Sequence, residues 1–245
     1  MDLLAANAAH SAADPACRKY TSSELGPYAG PAPAAARVRF TPKGSLEVAE
    51  ELWRAGADPC VLNFANNASG WVTGCQGTTQ EEVLMKRTTL SAGLRAADPY
   101  PLDDVQDLGR AWAYGTLGLA YSPRVHVVRD ALYRPLAGGP YPRVAVVTCA
   151  AIRCPLVRGG RYASAADRDV TRRKIGMILD AAMANGHGVV VAGEWGCGAF
   201  ANPVAEVASL WVAAARARPV SVVFPVFTEA FGRAMTAALA APSEN

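Results

Sequence analysis

Gln80-Glu81-Glu82 places two adjacent carboxylates at the end of a loop that is otherwise rich in amides and glycines. That loop, residues 63–83, carries Asn63, Asn66, Asn67 and Gln76 together with Gly70, Gly74 and Gly77. Amides and carboxylates suit sugar hydroxyls, and a carboxyl with a raised pKa can protonate a leaving glycosidic oxygen. The same residues also admit a structural role. Thr79-Gln80-Glu81-Glu82 has the pattern of a capping box, with Thr79 as N-cap and Glu82 at the third position of the helix that follows. The two readings are compatible, but only the first makes an enzyme.

A second loop, GEWGCGAFANPV at residues 193–204, lies between an apolar strand and a helix. Gly196, Gly198 and Ala201 spell G-x-G-x-x-A. Backbone N–H groups can approach a ligand closely where no Cβ intervenes, and a helix N-terminus adds partial positive charge. The loop therefore suits a diphosphate. Asn202 is placed to cap the helix, and Pro203 suits its first turn. A dinucleotide dehydrogenase would carry an acid about 20 positions on. The stretch at that distance, ARARPVSVVF, has none, and the next acid is Glu229. A Rossmann oxidoreductase is disfavoured. Cys197, inside this loop, has no nearby histidine to activate it and reads as a small apolar filler.

Both loops must leave strands of one sheet if they are to meet. Candidate strands are RVRF (37–40), CVLNFA (60–65), RVHVVR (124–129), RVAVVT (143–148), HGVVVA (187–192) and VSVVF (220–224), nearly unbroken in apolar character as strands covered on both faces are. Helical stripes fall at Ser45–Ala55, Thr79–Leu94, Asp169–Asn185 and Pro203–Arg216. Trp112 and Trp211 fall at helical spacings and read as core. The short run Arg172-Arg173-Lys174 reads as a solvated helix face. This alternation predicts a three-layer α/β/α domain with a mixed, mostly parallel sheet, whose ligands bind beyond the carboxyl ends of the strands. Residues 1–36 are rich in Ala and Pro and read as a short helical arm and linker, with the main domain at 37–245.

Composition sets the remaining limits. Of the 245 residues 51% are hydrophobic and 18% charged, against a usual charged share of about 25%, so bulk disorder is excluded. A net charge of +3, evenly spread along the sequence, does not suggest a duplex nucleic-acid footprint. No apolar run approaches the roughly 20 residues of a membrane span. The start, MDLLAANAAHSAADPACRKY, lacks a basic region followed by an apolar stretch, so no secretory signal is expected and the chain reads as cytoplasmic or otherwise intracellular. Six cysteines without a C-x-x-C pair, and only three histidines, give no zinc pattern and suit reduced core thiols.

Taken together, the two loops resemble the microbial type of poly(ADP-ribose) glycohydrolase, a branch of the macrodomain superfamily. The family carries N-F-A-N, a glycine-rich loop and Q-E-E after one strand, and G-x-W-G-C-G-x-F-x-N-x-P after a later one. Here these are Asn63 to Asn66, the 68–79 loop with Gln80 to Glu82, and Gly193 to Asn202, with Pro203 following directly in place of N-x-P. YSPRVHVVRD at 121–130 resembles a third family segment. The resemblance implies a macrodomain that removes terminal ADP-ribose from poly(ADP-ribose), with Glu82 as general acid. It implies Glu81 and Asn66 on the distal ribose, Gln80 beside them, and Gly196, Cys197, Gly198, Ala199 and Phe200 wrapping the diphosphate. No metal or redox cofactor is implied. The partners it implies are poly(ADP-ribose) or ADP-ribosylated protein, with free ADP-ribose as product ligand, and neither a membrane nor specific duplex nucleic acid; a monomer is expected. The sequence departs from the family where three consecutive glycines are usual, reading Ser69-Gly70-Trp71, so that Trp71 is placed against the ligand. It departs again after RVAVVT, where Ala150-Ala151-Ile152-Arg153 replaces A-P-N. Two alternatives stand beside the glycohydrolase: a catalytically silent ADP-ribose-binding module, and a hydrolase of mono-ADP-ribosylated protein or nucleic acid.

Overall fold

The computed structural model describes residues 17–26, 28–31, 37–68, 79–107 and 112–242. The chain builds strands β1 (Arg18–Thr21), β2 (Arg37–Thr41), β3 (Pro59–Ala65), β4 (Val105–Asp107), β5 (Trp112–Tyr114), β6 (Gly118–His126), β7 (Arg143–Ala150), β8 (Val157–Arg158), β9 (Arg161–Tyr162), β10 (Val189–Val191) and β11 (Ser221–Pro225). Seven of these form one sheet in the order β1-β6-β7-β3-β10-β11-β2. β2, β11, β10, β3 and β7 run parallel, while β6 is antiparallel to both β7 and β1. β4 pairs with β5 and β8 with β9 as separate two-stranded ribbons.

Period-2 alternation decides what each sheet face buries. In β7, Ala145, Val147 and Cys149 join the core cluster that contains Ile175, Ile178, Trp211 and Phe231. Val144, Val146 and Ala150 join the opposite cluster, with Leu46, Leu84 and Leu94. Helices α1 (Ser45–Arg54), α2 (Gln80–Arg87) and α3 (Leu90–Ala97) thus cover one face, and α4 (Ala165–Ala184), α5 (Val204–Arg216) and α6 (Glu229–Ala240) cover the other. The mixed, mostly parallel three-layer architecture expected from the sequence is the one observed. Both faces of the central strands are buried, which is why their sequences show no polar alternation.

Several elements differ from the sequence reading. Residues 18–21, read as part of the arm, form the edge strand β1. The single helix expected over Thr79–Leu94 is two helices, broken at Thr88 and Thr89. Thr88 Oγ1 donates to the Leu84 carbonyl at 2.7 Å and accepts the Leu90 N–H, while Thr89 exchanges bonds with the backbone of His126. Threonine side chains that bond backbone in this way compete with helix continuation. β6 begins six residues before the expected strand, and its register shifts between Ser122 and Val125, where Pro123 cannot donate to the ladder. Trp112 lies on strand β5, not on a helix, whereas Trp211 is fully buried. It packs edge-on against Trp195 and Phe224, at centroid separations of 6.4 and 5.5 Å. In the Arg172-Arg173-Lys174 run the two arginines are exposed, but Lys174 is buried and its Nζ lies 2.5 Å from both carboxylate oxygens of Asp103.

Candidate active site

A cleft of about 350 Å³ opens beyond the carboxyl ends of β3, β7 and β10. Its lining draws on Asn66, Gln80 and Glu81 from one side and on Gly196, Gly198, Ala199 and Phe200 from the other. The two loops singled out in the sequence therefore meet. Ala151, at the place where the A-P-N pattern is missing, forms part of the lining between them.

The 193–203 loop holds its shape through buried anchors. Trp195 is buried, and its indole N–H donates 2.9 Å to the Cys149 carbonyl of β7. Gly196 has φ +78°, and a Cβ there would lie 2.7 Å from the Ala151 Cβ and 2.9 Å from Asn202 Nδ2, so this position requires glycine. Asn202 does not cap α5, whose N-cap is Pro203 with no side-chain bond. Its Nδ2 instead donates to the carbonyls of Ile152 (2.8 Å), Gly196 (2.9 Å) and Phe200 (3.3 Å), and its Oδ1 accepts from the Tyr162 hydroxyl (2.8 Å). A buried amide inside a turn meets the loop's carbonyls before it meets the helix. Pinned in this way, the loop leaves the N–H groups of Gly198, Ala199 and Phe200 without an acceptor among the described residues. A row of N–H groups lining a cleft is an anion site. Cys197, expected to touch ligand, packs its side chain against the core, and burial pushes its thiol up to about 12, so it is neither a nucleophile nor part of the lining described above.

Across the cleft the capping box is present. Thr79 Oγ1 accepts from the Glu82 N–H at 3.3 Å, and Glu82 Oε2 accepts from both the N–H and the hydroxyl of Thr79 at 3.1 Å. Gln80 lines the cleft, and its amide is also committed to the backbone. Its Nε2 donates to the Leu62 carbonyl (2.8 Å) and its Oε1 accepts from the Phe64 N–H (3.0 Å), so the amide pairs with the edge of β3 and fixes the start of α2.

Glu81 and Glu82 are 7% and 6% exposed, two buried carboxyls in one helical turn. Burial raises Glu81 to about 7, against the opposing pull of bonds from the Asn63 side chain and the Asn66 backbone, and the Glu82 charge raises it further. Asn63 Nδ2 lies 3.4 Å from Glu81 Oε1, and Asn63 Oδ1 has no partner. Turning that amide over would offer Oδ1 to a protonated Glu81, which fits a carboxyl that keeps its proton near neutral pH. Asn66 closes an Asx turn, its Oδ1 accepting the Ala68 N–H at 3.0 Å. The neighbouring Asn67 is clamped by two bonds to the Asp103 backbone, at 2.7 and 3.2 Å. Trp71 lies outside the described residues.

Two groups at this site went unnoticed in the sequence. Glu194 accepts from the N–H groups of Phe227 (2.7 Å) and Thr228 (2.6 Å) and from the Thr228 hydroxyl (2.7 Å), which ties the segment after β11 to the glycine loop. That contact carries the exposed ring of Phe227 to the cleft. A lone acid next to Trp195 and a lone Phe before a helix give no sequence signal. Among the described residues no group of three His, Cys, Asp or Glu side chains could hold a metal ion, and no helix is long and apolar enough to cross a membrane.

Fold and site together define a three-layer α/β domain that can seat an anion on backbone N–H groups opposite a buried carboxyl. The model of the microbial-type PARG catalytic domain matches residues 8–130, half of the chain, and the chain belongs to this poly(ADP-ribose) glycohydrolase family. Among solved structures, the poly(ADP-ribose) glycohydrolase from Thermomonospora curvata superposes with a TM-score of 0.71 at 28% identity, covering 98% of this chain and 88% of that one. The same enzyme bound to the inhibitor ADP-HPD gives 0.68 at 27% identity, covering 98% and 87%. The Deinococcus radiodurans enzyme in complex with ADP-ribose shares the fold at a TM-score of 0.69 and 22% identity, covering 98% and 99%. Among curated proteins no relative matches.

Proposed function

We propose that this chain releases ADP-ribose from poly(ADP-ribose) by hydrolysing ribose–ribose O-glycosidic bonds. The observation that carries the reading is the pairing of the Gly198–Phe200 N–H row with the buried Glu81 carboxyl across one cleft, Glu82 lying one residue behind that lining. A diphosphate seated on the N–H row directs its distal ribose toward Glu81 and Asn66, with Phe200 beside the sugar. The Thermomonospora curvata relative is bound to the inhibitor ADP-HPD, which supports an ADP-ribose-like ligand for this chain.

Burial lifts Glu81 to about 7, so a proton is held beside Glu82 near neutral pH. Glu82, at the position of the family's second Glu in Q-E-E, is the proton donor, and Glu81 holds the ribose hydroxyls. Glu82 protonates the leaving ribose oxygen as the bond to the anomeric carbon breaks with oxocarbenium character. Water adds to that carbon, and its proton returns to the Glu82 carboxylate. The capping box fixes the Glu82 backbone and orients its carboxyl through Oε2.

Incubating the full chain with purified poly(ADP-ribose) and following free ADP-ribose tests the proposal. Release of ADP-ribose is expected. Binding of ADP-ribose without any release would overturn hydrolysis and leave a silent binding module.

A further inference from the structure

On the helical face formed by α4 and α5 lies a second and larger concavity, of about 900 Å³. Arg161, Arg168, Arg172, Arg173, Arg216 and Arg218 line it. Asp180 and Glu206 line it too, and Asp169 pairs with Arg172 at 2.6 Å, so six positive charges face three negative ones and a surplus of three remains, as large as the +3 of the entire chain. The groove exists because Gly176, Ser209 and Ala213 line it between the two helices, leaving a channel where larger residues would close it. Four of the arginines stand well into solvent at its rim. Arg161, Arg168 and Arg172 have side-chain exposures of 75%, 43% and 58%, and Arg173 is exposed as well. Arg218 is held deeper, bidentate on Asp180 at 2.7 and 2.9 Å.

Hydrogen bonds tie the wall of the groove to the active-site loop. At its Arg161–Arg168 end, Glu206 accepts the Tyr162 N–H at 2.6 Å, and the Tyr162 hydroxyl bonds Asn202, the residue that braces the Gly196–Phe200 loop. From Glu206 the basic channel follows α5 to Arg216, ~15 Å at 1.5 Å per residue.

We propose that this arginine groove is an exosite that binds the diphosphate backbone of the poly(ADP-ribose) chain beyond the units seated in the cleft. The inference rests on the glycohydrolase reading of the cleft. Charge complementarity selects a polyanion, arginine forks suit phosphate oxygens, and the hydrogen-bonded link from Glu206 to the loop of the cleft selects the polymer whose end the cleft holds. A chain anchored there stays bound while successive ends are cleaved, so long chains are preferred over short ones.

The test measures binding of end-labelled long and dimeric poly(ADP-ribose) to the full-length Glu82→Gln protein, with and without Arg172→Gln/Arg173→Gln, over a range of salt concentrations. Free ADP-ribose is titrated in parallel, and a melting curve confirms that the exposed substitutions leave the fold intact. Long chains are expected to bind more tightly than dimers. The double change should weaken long-chain binding about tenfold or more at low salt, lowering the log–log salt slope by about 1.4 for two lost phosphate contacts. ADP-ribose affinity should stay unchanged. An unaltered slope and length preference would overturn the exosite. So would duplex DNA competing as well as the long chain, because the groove would then be a general polyanion surface. Loss of ADP-ribose binding in every protein would instead count against the cleft reading, and the long-chain salt slope would still report on the groove.

Discussion

Glu81→Gln removes the charge that burial makes costly while keeping a side chain of nearly the same shape. In the folded protein the Glu81 carboxyl sits at about 7, against 4.5 in its ordinary state, because burial disfavours the charged form. Below pH 4.5 the group is protonated in both the folded and the unfolded chain, and the wild type carries no penalty. As pH rises from there toward about 7, the unfolded chain ionises and the folded one does not, so folding stability falls. Above about 7 both ionise, and the penalty levels off at roughly 3 kcal/mol, since each tenfold change in proton affinity is worth about 1.4 kcal/mol. Glutamine has nothing to ionise, and its amide can still meet Asn63 and the Asn66 N–H. Glu81→Gln should therefore match the wild type near pH 4 and be more stable near pH 8.5, by up to roughly 3 kcal/mol. Urea denaturation of both proteins across that range reads the difference directly, and taking the difference cancels every other titrating group. Parallel pH profiles, or a variant that is less stable at high pH, would refute the burial argument. Turnover should meanwhile fall, since the same carboxyl is proposed to hold the ribose.

Gly198→Glu should abolish ADP-ribose binding in calorimetry while leaving the melting temperature nearly unchanged, because a Cβ at Gly198 meets nothing within 4 Å. The effect comes from negative charge placed beside the diphosphate. Lys174→Met should cost about 3–5 kcal/mol by stranding Asp103 as a buried unpaired charge. Adding Asp103→Asn should recover much of that loss in the same denaturation assay. Turnover of the single variant should also drop, because the Asp103 backbone clamps Asn67 beside the cleft.

The sequence made the site legible where chemistry and local structure coincide. Thr79 and Glu82 formed the expected box, and both loops left strands of one parallel sheet, so their meeting followed from topology. What stayed hidden depended on contacts distant in sequence. Asn202 has the residue type of a helix cap, but three carbonyls of its own loop and of Ile152 claim its amide first. Gln80 is committed to the backbone of β3, a partner that appears only once α2 docks. Lys174 follows two exposed arginines, yet one helical step turns it inward onto Asp103, 71 residues away. Helix α6 did carry a signal, Phe231, Met235 and Ala238 on one stripe behind the N-cap Thr228. The arginines of the groove lie between positions 161 and 218, and an even spread of charge along the chain conceals a cluster in space.

The central proposal is that Glu82 supplies the proton for glycosidic cleavage, and hydrolysis of poly(ADP-ribose) by Glu82→Gln measures it most directly. Glutamine can still accept the Thr79 bonds of the capping box, but it has no proton to transfer. Turnover should fall by about 10²–10⁴-fold, a barrier rise of roughly 3–5 kcal/mol, with ADP-ribose binding nearly unchanged. Hydrolysis at the wild-type rate in Glu82→Gln would contradict the account.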